Sequence, residues 1–165
     1  MRNSPEVIEL GYVIGIKMNS LLYEDITKYD FWLKLILGSI LALTFVLGII
    51  FISNTEVALV MFGITLFDAL LFKAILPRRF QIFEDRLRIL LGGPLAVNIP
   101  FSDIADAKPV PGSKAFNYRG YRGLRFATST RYVIEIVRNK GLNLVISPSK
   151  GDIFLEELNR ALKLK

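Results

Sequence analysis

The chain has 165 residues, 52% of them hydrophobic, with 21 Lys and Arg against 15 Asp and Glu and neither Cys nor His. Without a thiol or an imidazole there is no cysteine nucleophile, no disulfide, no histidine base and no zinc site of the usual kind. No P-loop or dinucleotide-binding glycine turn is present, nothing calls for a metal or a cofactor, and no grouping of Asp, Glu, Lys, Tyr or Ser argues for catalysis.

The mean hydropathy of +0.43 is high for a soluble domain. Charge is unevenly placed. Residues 1–76 hold five Lys/Arg and seven Asp/Glu, net −2, while residues 77–165 hold sixteen and eight, net +8, which together give the overall +6. A basic half joined to an apolar half suits a domain facing anionic lipid or another acidic partner.

Residues 1–30 form an N-terminal segment. "VIELGYVIGI" has the composition of a strand that adds to a sheet, and "SLLYEDITKYD" that of a short interfacial helix leading into the first apolar run. That run, residues 31–52, "FWLKLILGSILALTFVLGIIFI", is apolar except for Lys34 and a few hydroxyls, and residues 57–76, "VALVMFGITLFDALLFKAIL", form a second. About 20 residues are needed to cross a bilayer core. The link "SNTE" is long enough only to reverse direction, so the two runs predict an antiparallel membrane hairpin. The first run begins 30 residues in, with no small-residue cleavage site after it, which argues against a signal peptide.

Lys28 and Lys34 lie at the start of the first span, Arg78, Arg79, Arg86 and Arg88 come after the second, and the link has no Lys or Arg. The positive-inside rule therefore predicts a multi-pass inner-membrane protein with both termini cytoplasmic. Tyr29, Phe31 and Trp32 fall where an aromatic belt belongs. Lys34 and Lys73 lie close enough to the cytoplasmic side to snorkel.

Asp68 is different. It stands eight residues from the inner end, roughly 12 Å along the helix and close to the midplane. The residue at equal depth on the first span is Ser39, beside Gly38, and Gly38 with Ala42 makes a small-xxx-small pair that permits close helix approach. Gly38, Ser39, Ala42 and Asp68 are therefore the predicted intramembrane contact, with Asp68 either a neutral acid or bonded to Ser39 or Thr65. Assembly is favoured over a conducted ion, because two helices cannot enclose a pathway.

From residue 77 the pattern becomes short β-like runs broken by turn residues: "RFQIF", "RLRIL", "LAVNIP", "FSDIADAKPV", "LRFAT", "RYVIEIV" and "LNLVIS". "RNKG" between the last two is a good hairpin turn. "SPSKGDIFLEELNRALKLK" predicts a closing amphipathic helix, with Ser149 as N-cap, Asp152 three residues on, and Ile153, Phe154, Leu158, Ala161 and Leu162 on one face. The fold class is a transmembrane α-helical hairpin plus a mainly-β barrel or sandwich of about seven strands in residues 77–165, closed by a C-terminal α-helix.

Residues 77–165, "FQIFEDRLRILLGGPLAVNIPFSDIADAKPV" and "YVIEIVRNKGLNLVISPSKGDIFLEEL" above all, resemble the bacterial pleckstrin-homology (PH)-like family. The features that carry the resemblance are the "I-P-x-x-D-I" step at Ile99, Pro100, Asp103 and Ile104, and the "I-S-P" at Ile146, Ser147 and Pro148. The resemblance implies a PH-like fold attached to membrane helices. It does not carry phosphoinositide binding with it, since the basic pattern of the first hairpin is only weakly echoed by Arg79, Arg86 and Arg88. Some similar small membrane proteins look like self-protection factors against peptide bacteriocins.

One basic stretch offers a surface. Lys108, Lys114, Arg119, Arg122, Arg125 and Arg131 occur with no acidic residue between them, and Phe116, Tyr118 and Tyr121 are interleaved. Lys108, Lys114, Arg119, Tyr121, Arg122, Arg125 and Arg131 are accordingly the candidate lipid- or partner-binding residues. Against this stands a solvated loop whose charge only adds to positive-inside bias. Nucleic acid could use the same mixture, but a membrane anchor argues against it. The function expected is a non-catalytic binding or regulatory module on the inner leaflet, with the lipid bilayer and a protein, or a second copy through the membrane helices, as partners. The alternatives are a bacteriocin-immunity-like protein and a small oligomeric channel or transporter subunit using Asp68.

Overall fold

The computed structural model describes residues 20–113 and 123–163. In chain order these form β1 (Leu21–Ile26), α1 (Phe31–Ile50), α2 (Thr55–Ile75), β2 (Pro77–Phe83), β3 (Arg86–Leu91), β4 (Ala96–Pro100), a 3-10 turn (Phe101–Asp103), β5 (Ile104–Val110), β6 (Gly123–Phe126), β7 (Val133–Arg138), β8 (Asn143–Ile146) and α3 (Gly151–Lys163).

α1 and α2 are the apolar hairpin. Asn54 caps α2, its side chain accepting from the Val57 amide at 3.3 Å. The second helix ends at Ile75, and after Leu76 alone the chain enters β2 at Pro77, a residue that cannot continue a helix.

The strands form two four-stranded sheets, in the orders β1-β2-β3-β4 and β5-β7-β8-β6. All neighbours are antiparallel except β6 and β8, which run parallel. One core lies between the sheets: Phe80 and Ile82 of β2, Leu87 and Ile89 of β3, Ile134 and Ile136 of β7, Leu144 and Ile146 of β8 are buried. The two-residue spacing of each pair is the strand period of side chains sharing one face, and on the other face of the second sheet Val133 and Val145 form a smaller buried cluster with Val110 and Ala127. α3 plugs one end with Phe154, Leu158 and Ala161, and the Phe154 ring packs edge-on against Phe80 and Tyr23.

The strand count is corrected from seven to eight, and the two sheets do not join into a closed barrel. Each of the seven runs beyond residue 77 contains one strand. The eighth is β1, taken from the stretch read as an interfacial helix. Its alternation is disguised because the residue turned inward beside Tyr23 is a carboxylate. Asp25 is buried, and its Oδ2 accepts the Lys150 amide at 2.7 Å. Lys150 itself caps α3, its carbonyl accepting from Phe154 at 2.9 Å, so Ser149 is not the cap. The acceptor at this helix start comes from a strand 125 residues away. "VIELGYVIGI" lies outside the described residues. The "RNKG" turn holds Gly141 at φ +87, the one left-handed backbone position among the described residues.

Candidate functional site

The residues joining β1 to α1 are tied to the β domain along their whole length. The Thr27 amide donates to the Arg78 carbonyl at 2.9 Å, the Tyr29 hydroxyl to the Pro77 carbonyl at 2.7 Å, and the Asp30 amide to the Thr128 carbonyl at 2.9 Å. In return Thr128 Oγ1 donates to the Lys28 carbonyl at 2.8 Å. The Asp30 carboxylate completes the latch. One oxygen accepts from Ser129 Oγ at 2.7 Å, and the other from the Thr130 amide at 2.8 Å and Thr130 Oγ1 at 3.0 Å.

Burial works to raise the Asp30 pKa, but the donors on Ser129 and Thr130 and the nearby Arg131 charge outweigh it and hold the carboxyl below its ordinary value of 3.8. The β6–β7 loop that supplies these donors is itself fixed from below. Ser147 Oγ, fully buried, accepts from the Thr128 amide at 2.8 Å and the Ser129 amide at 3.1 Å. The serine of the "I-S-P" step thus holds the loop that holds Asp30.

Above this latch is a cleft of about 460 Å³, with walls from the Thr27–Phe31 segment, the first turn of α1, the β6–β7 loop and the residues just before α3. Lys28, Lys34 and Arg131 bring positive charge to it from three of these segments. Phe31 lines it and is 70% exposed, and the next residue, Trp32, is 71% exposed with its ring edge to face against Phe31 at 6.2 Å. Asp30 is the one carboxylate of the cleft.

No protein-family model, curated protein or solved structure matches the chain.

Of the residues predicted for lipid or partner binding, the structure brings Arg131 to the cleft. Lys108 and Arg125 lie elsewhere, on the second sheet. The strand register sets Lys108 opposite Glu135, Glu135 opposite Val145 and Val145 opposite Arg125. A buried carboxylate therefore enters the row between two of the predicted cations, although it lies outside the run Lys108–Arg131 in sequence. Lys114, Arg119, Tyr121 and Arg122, with Phe116 and Tyr118, lie outside the described residues. Lys28 and Lys34 are visible in the sequence as flanking charges, but only the fold shows that they meet Arg131.

Inside the hairpin the contact differs from the predicted one. Gly38 has nothing near the position of a Cβ, and Ser39 and Ala42 are exposed, with Ser39 Oγ donating to the Ile36 carbonyl of its own helix at 2.8 Å. These three residues do not face α2. The contact runs along Leu37, Leu41, Thr44 and Gly48, at the three- and four-residue steps of one helix face. Thr65 Oγ1 donates to Thr44 Oγ1 at 2.9 Å, and a Cβ on Gly48 would lie 2.7 Å from the Phe62 ring. Asp68 is half-buried one turn beyond Thr65, and among the described residues it makes no hydrogen bond or ion pair with Ser39, Thr65, Lys34 or Lys73. The sequence signal for this face is Gly48 itself, at the right depth to meet Phe62.

Proposed function

We propose that the chain is a two-span inner-membrane protein with both ends in the cytoplasm, and that its β domain is a PH-like binding module held against the inner leaflet. There it engages anionic headgroups and a protein partner without catalysis. The observation that carries this reading is the surface of the hairpin. α1 has 20 residues and α2 has 21, with mean hydropathies of 2.4 and 2.0 over their most apolar stretches, and only 6% of each stretch is buried. At about 1.5 Å per residue each covers roughly 30 Å, the thickness of a bilayer core.

A core helix of a soluble protein buries such a surface, and large apolar patches in water are unfavourable. Lipid removes that conflict. Positive charge gathers at the domain end of both helices, in Lys28, Lys34, Arg78 and Arg79, and the connection at the far end has none. Two sheets with a helix across one end are compatible with a PH-like domain, and the absence of His and Cys leaves few catalytic groups.

The chain contains no cysteine, so single substitutions report orientation cleanly. Ser53→Cys, in the connection, is expected to react with an impermeant maleimide on intact cells. Lys140→Cys, in the β7–β8 turn, is expected to react only after lysis. Labelling of Lys140→Cys on intact cells would reverse the orientation, and equal labelling of both before lysis would remove the two-span reading.

A further inference from the structure

We propose that the cleft between the start of α1 and the β6–β7 loop binds the phosphate of an anionic phospholipid from the adjoining leaflet, an inference that rests on the hairpin lying in the membrane. Charge is the first argument. Lys28, Lys34 and Arg131 converge on the cleft from separate segments, and the single opposing carboxylate, Asp30, already accepts three donors from Ser129 and Thr130. Its acceptor positions are taken by the domain, and its single charge against the three cations leaves the cleft lining with a net charge of +2.

The helix supplies the second argument. An aspartate at the N-cap ordinarily accepts amides of its own first turn. Here Asp30 stands at the N-cap of α1 but makes no such bond, because its side chain is committed to the β6–β7 loop. The opening amides of a 20-residue helix, and the positive end of its dipole, are therefore left for an anion in the cleft. The cleft wall also includes Thr27, which is 5% exposed and whose hydroxyl has no hydrogen-bond partner.

What makes the anion a lipid, not a dissolved phosphate, is the rim. Phe31 lines the cleft, Trp32 packs against it edge to face, and Leu35 and Ile36 continue an exposed apolar surface along α1. A phosphate in the cleft places its acyl chains along that surface, with Lys34 reaching back along the helix to the headgroup. Aromatic side chains at this level of a membrane suit the same boundary.

Trp32 is the only tryptophan in the chain and its ring packs against Phe31 of the cleft wall, so its fluorescence reports on the site through that contact. The full-length protein in a neutral maltoside detergent is titrated with dioctanoyl phosphatidylglycerol, with dioctanoyl phosphatidylcholine, and with inorganic phosphate. Phosphatidylglycerol is expected to change the emission saturably, and phosphatidylcholine to need at least about tenfold more. The Lys28→Gln/Arg131→Gln variant should weaken phosphatidylglycerol binding about tenfold or more, from the loss of two charges at the headgroup. Lys140→Gln, at the other end of β7, should leave it unchanged.

All three substituted residues are exposed, and melting curves check that the variants fold. Lys34→Gln replaces the double variant if that one does not. Equal response to the two lipids, or an unchanged titration for a folded cleft variant, would overturn the site. Saturation by inorganic phosphate at the concentration that suffices for phosphatidylglycerol would make the ligand a soluble phosphate and overturn the lipid. Release of the wild-type chain from membranes by alkaline carbonate would remove the membrane reading itself, an outcome separate from every titration result.

Discussion

Asp30 accepts three hydrogen bonds through its carboxylate while its own amide donates to Thr128, so one residue fastens the first turn of α1 to the β6–β7 loop. Asp30→Ala leaves the buried Ser129 hydroxyl and the Thr130 amide without their acceptor. A loss of about 1–3 kcal/mol is expected, measured by chemical or thermal unfolding in detergent. The pH dependence has a definite sign. The folded pKa is depressed, so the stabilisation is fully present above the ordinary value of 3.8 and is lost as the pH falls through the lower folded value. The melting-temperature gap between wild type and Asp30→Asn should stay level down to about pH 4.5 and close below pH 3.8. A gap that widens on acidification would contradict the latch. Ser147→Ala tests the layer beneath, since it strips the acceptor from two buried amides, those of Thr128 and Ser129. About 2 kcal/mol should be lost although nothing in the cleft itself is altered.

Among the elements, β2 and β3 are legible in the sequence because Phe80 and Ile82, Leu87 and Ile89 alternate over the core, β7 and β8 because they are short apolar runs buried almost throughout, and the turn at Gly141 because an Asn-Lys-Gly sequence favours left-handed backbone. β1 is not. Its inward Asp25 is explained only by the amide of Lys150, and a bond spanning the whole domain leaves no local pattern. The same holds for the site. Arg131 lies about a hundred residues from Lys28 and Lys34 in sequence, and the acidic Glu135 enters the row of Lys108 and Arg125 only through strand pairing.

In the hairpin, small residues at helical spacing point to Gly38 and Ala42, but spacing cannot say which face meets the neighbour. The structure sets the approach at Gly48. Gly48→Ala forces the Phe62 ring aside, whereas Gly38→Ala meets nothing within the hairpin. In a Thr44→Cys/Thr65→Cys background, oxidative crosslinking should be fast, slow several-fold with Gly48→Ala, and stay unchanged with Gly38→Ala.

At the scale of the whole molecule, both helices of the hairpin meet the domain among the described residues. α1 is held through Thr27–Asp30, and at the other side the β3–β4 turn lies so close to the end of α2 that a Cβ on Gly92 would collide with the carbonyl oxygen of Lys73. That neighbour is backbone and cannot swing away. Gly92→Ala is therefore expected to push the turn off α2 and cost about 1–3 kcal/mol, with Gly93→Ala, which meets only Ala74 at 3.7 Å, as the mild control.

Two fixings have a mechanical result that one would not. A domain hung from a single strand of chain can swivel in any direction. One fastened at both α1 and α2 keeps a single axis, the line joining the two points. A tilt of the hairpin then turns the domain about that axis as a lever, and the β sheets swing with the helices.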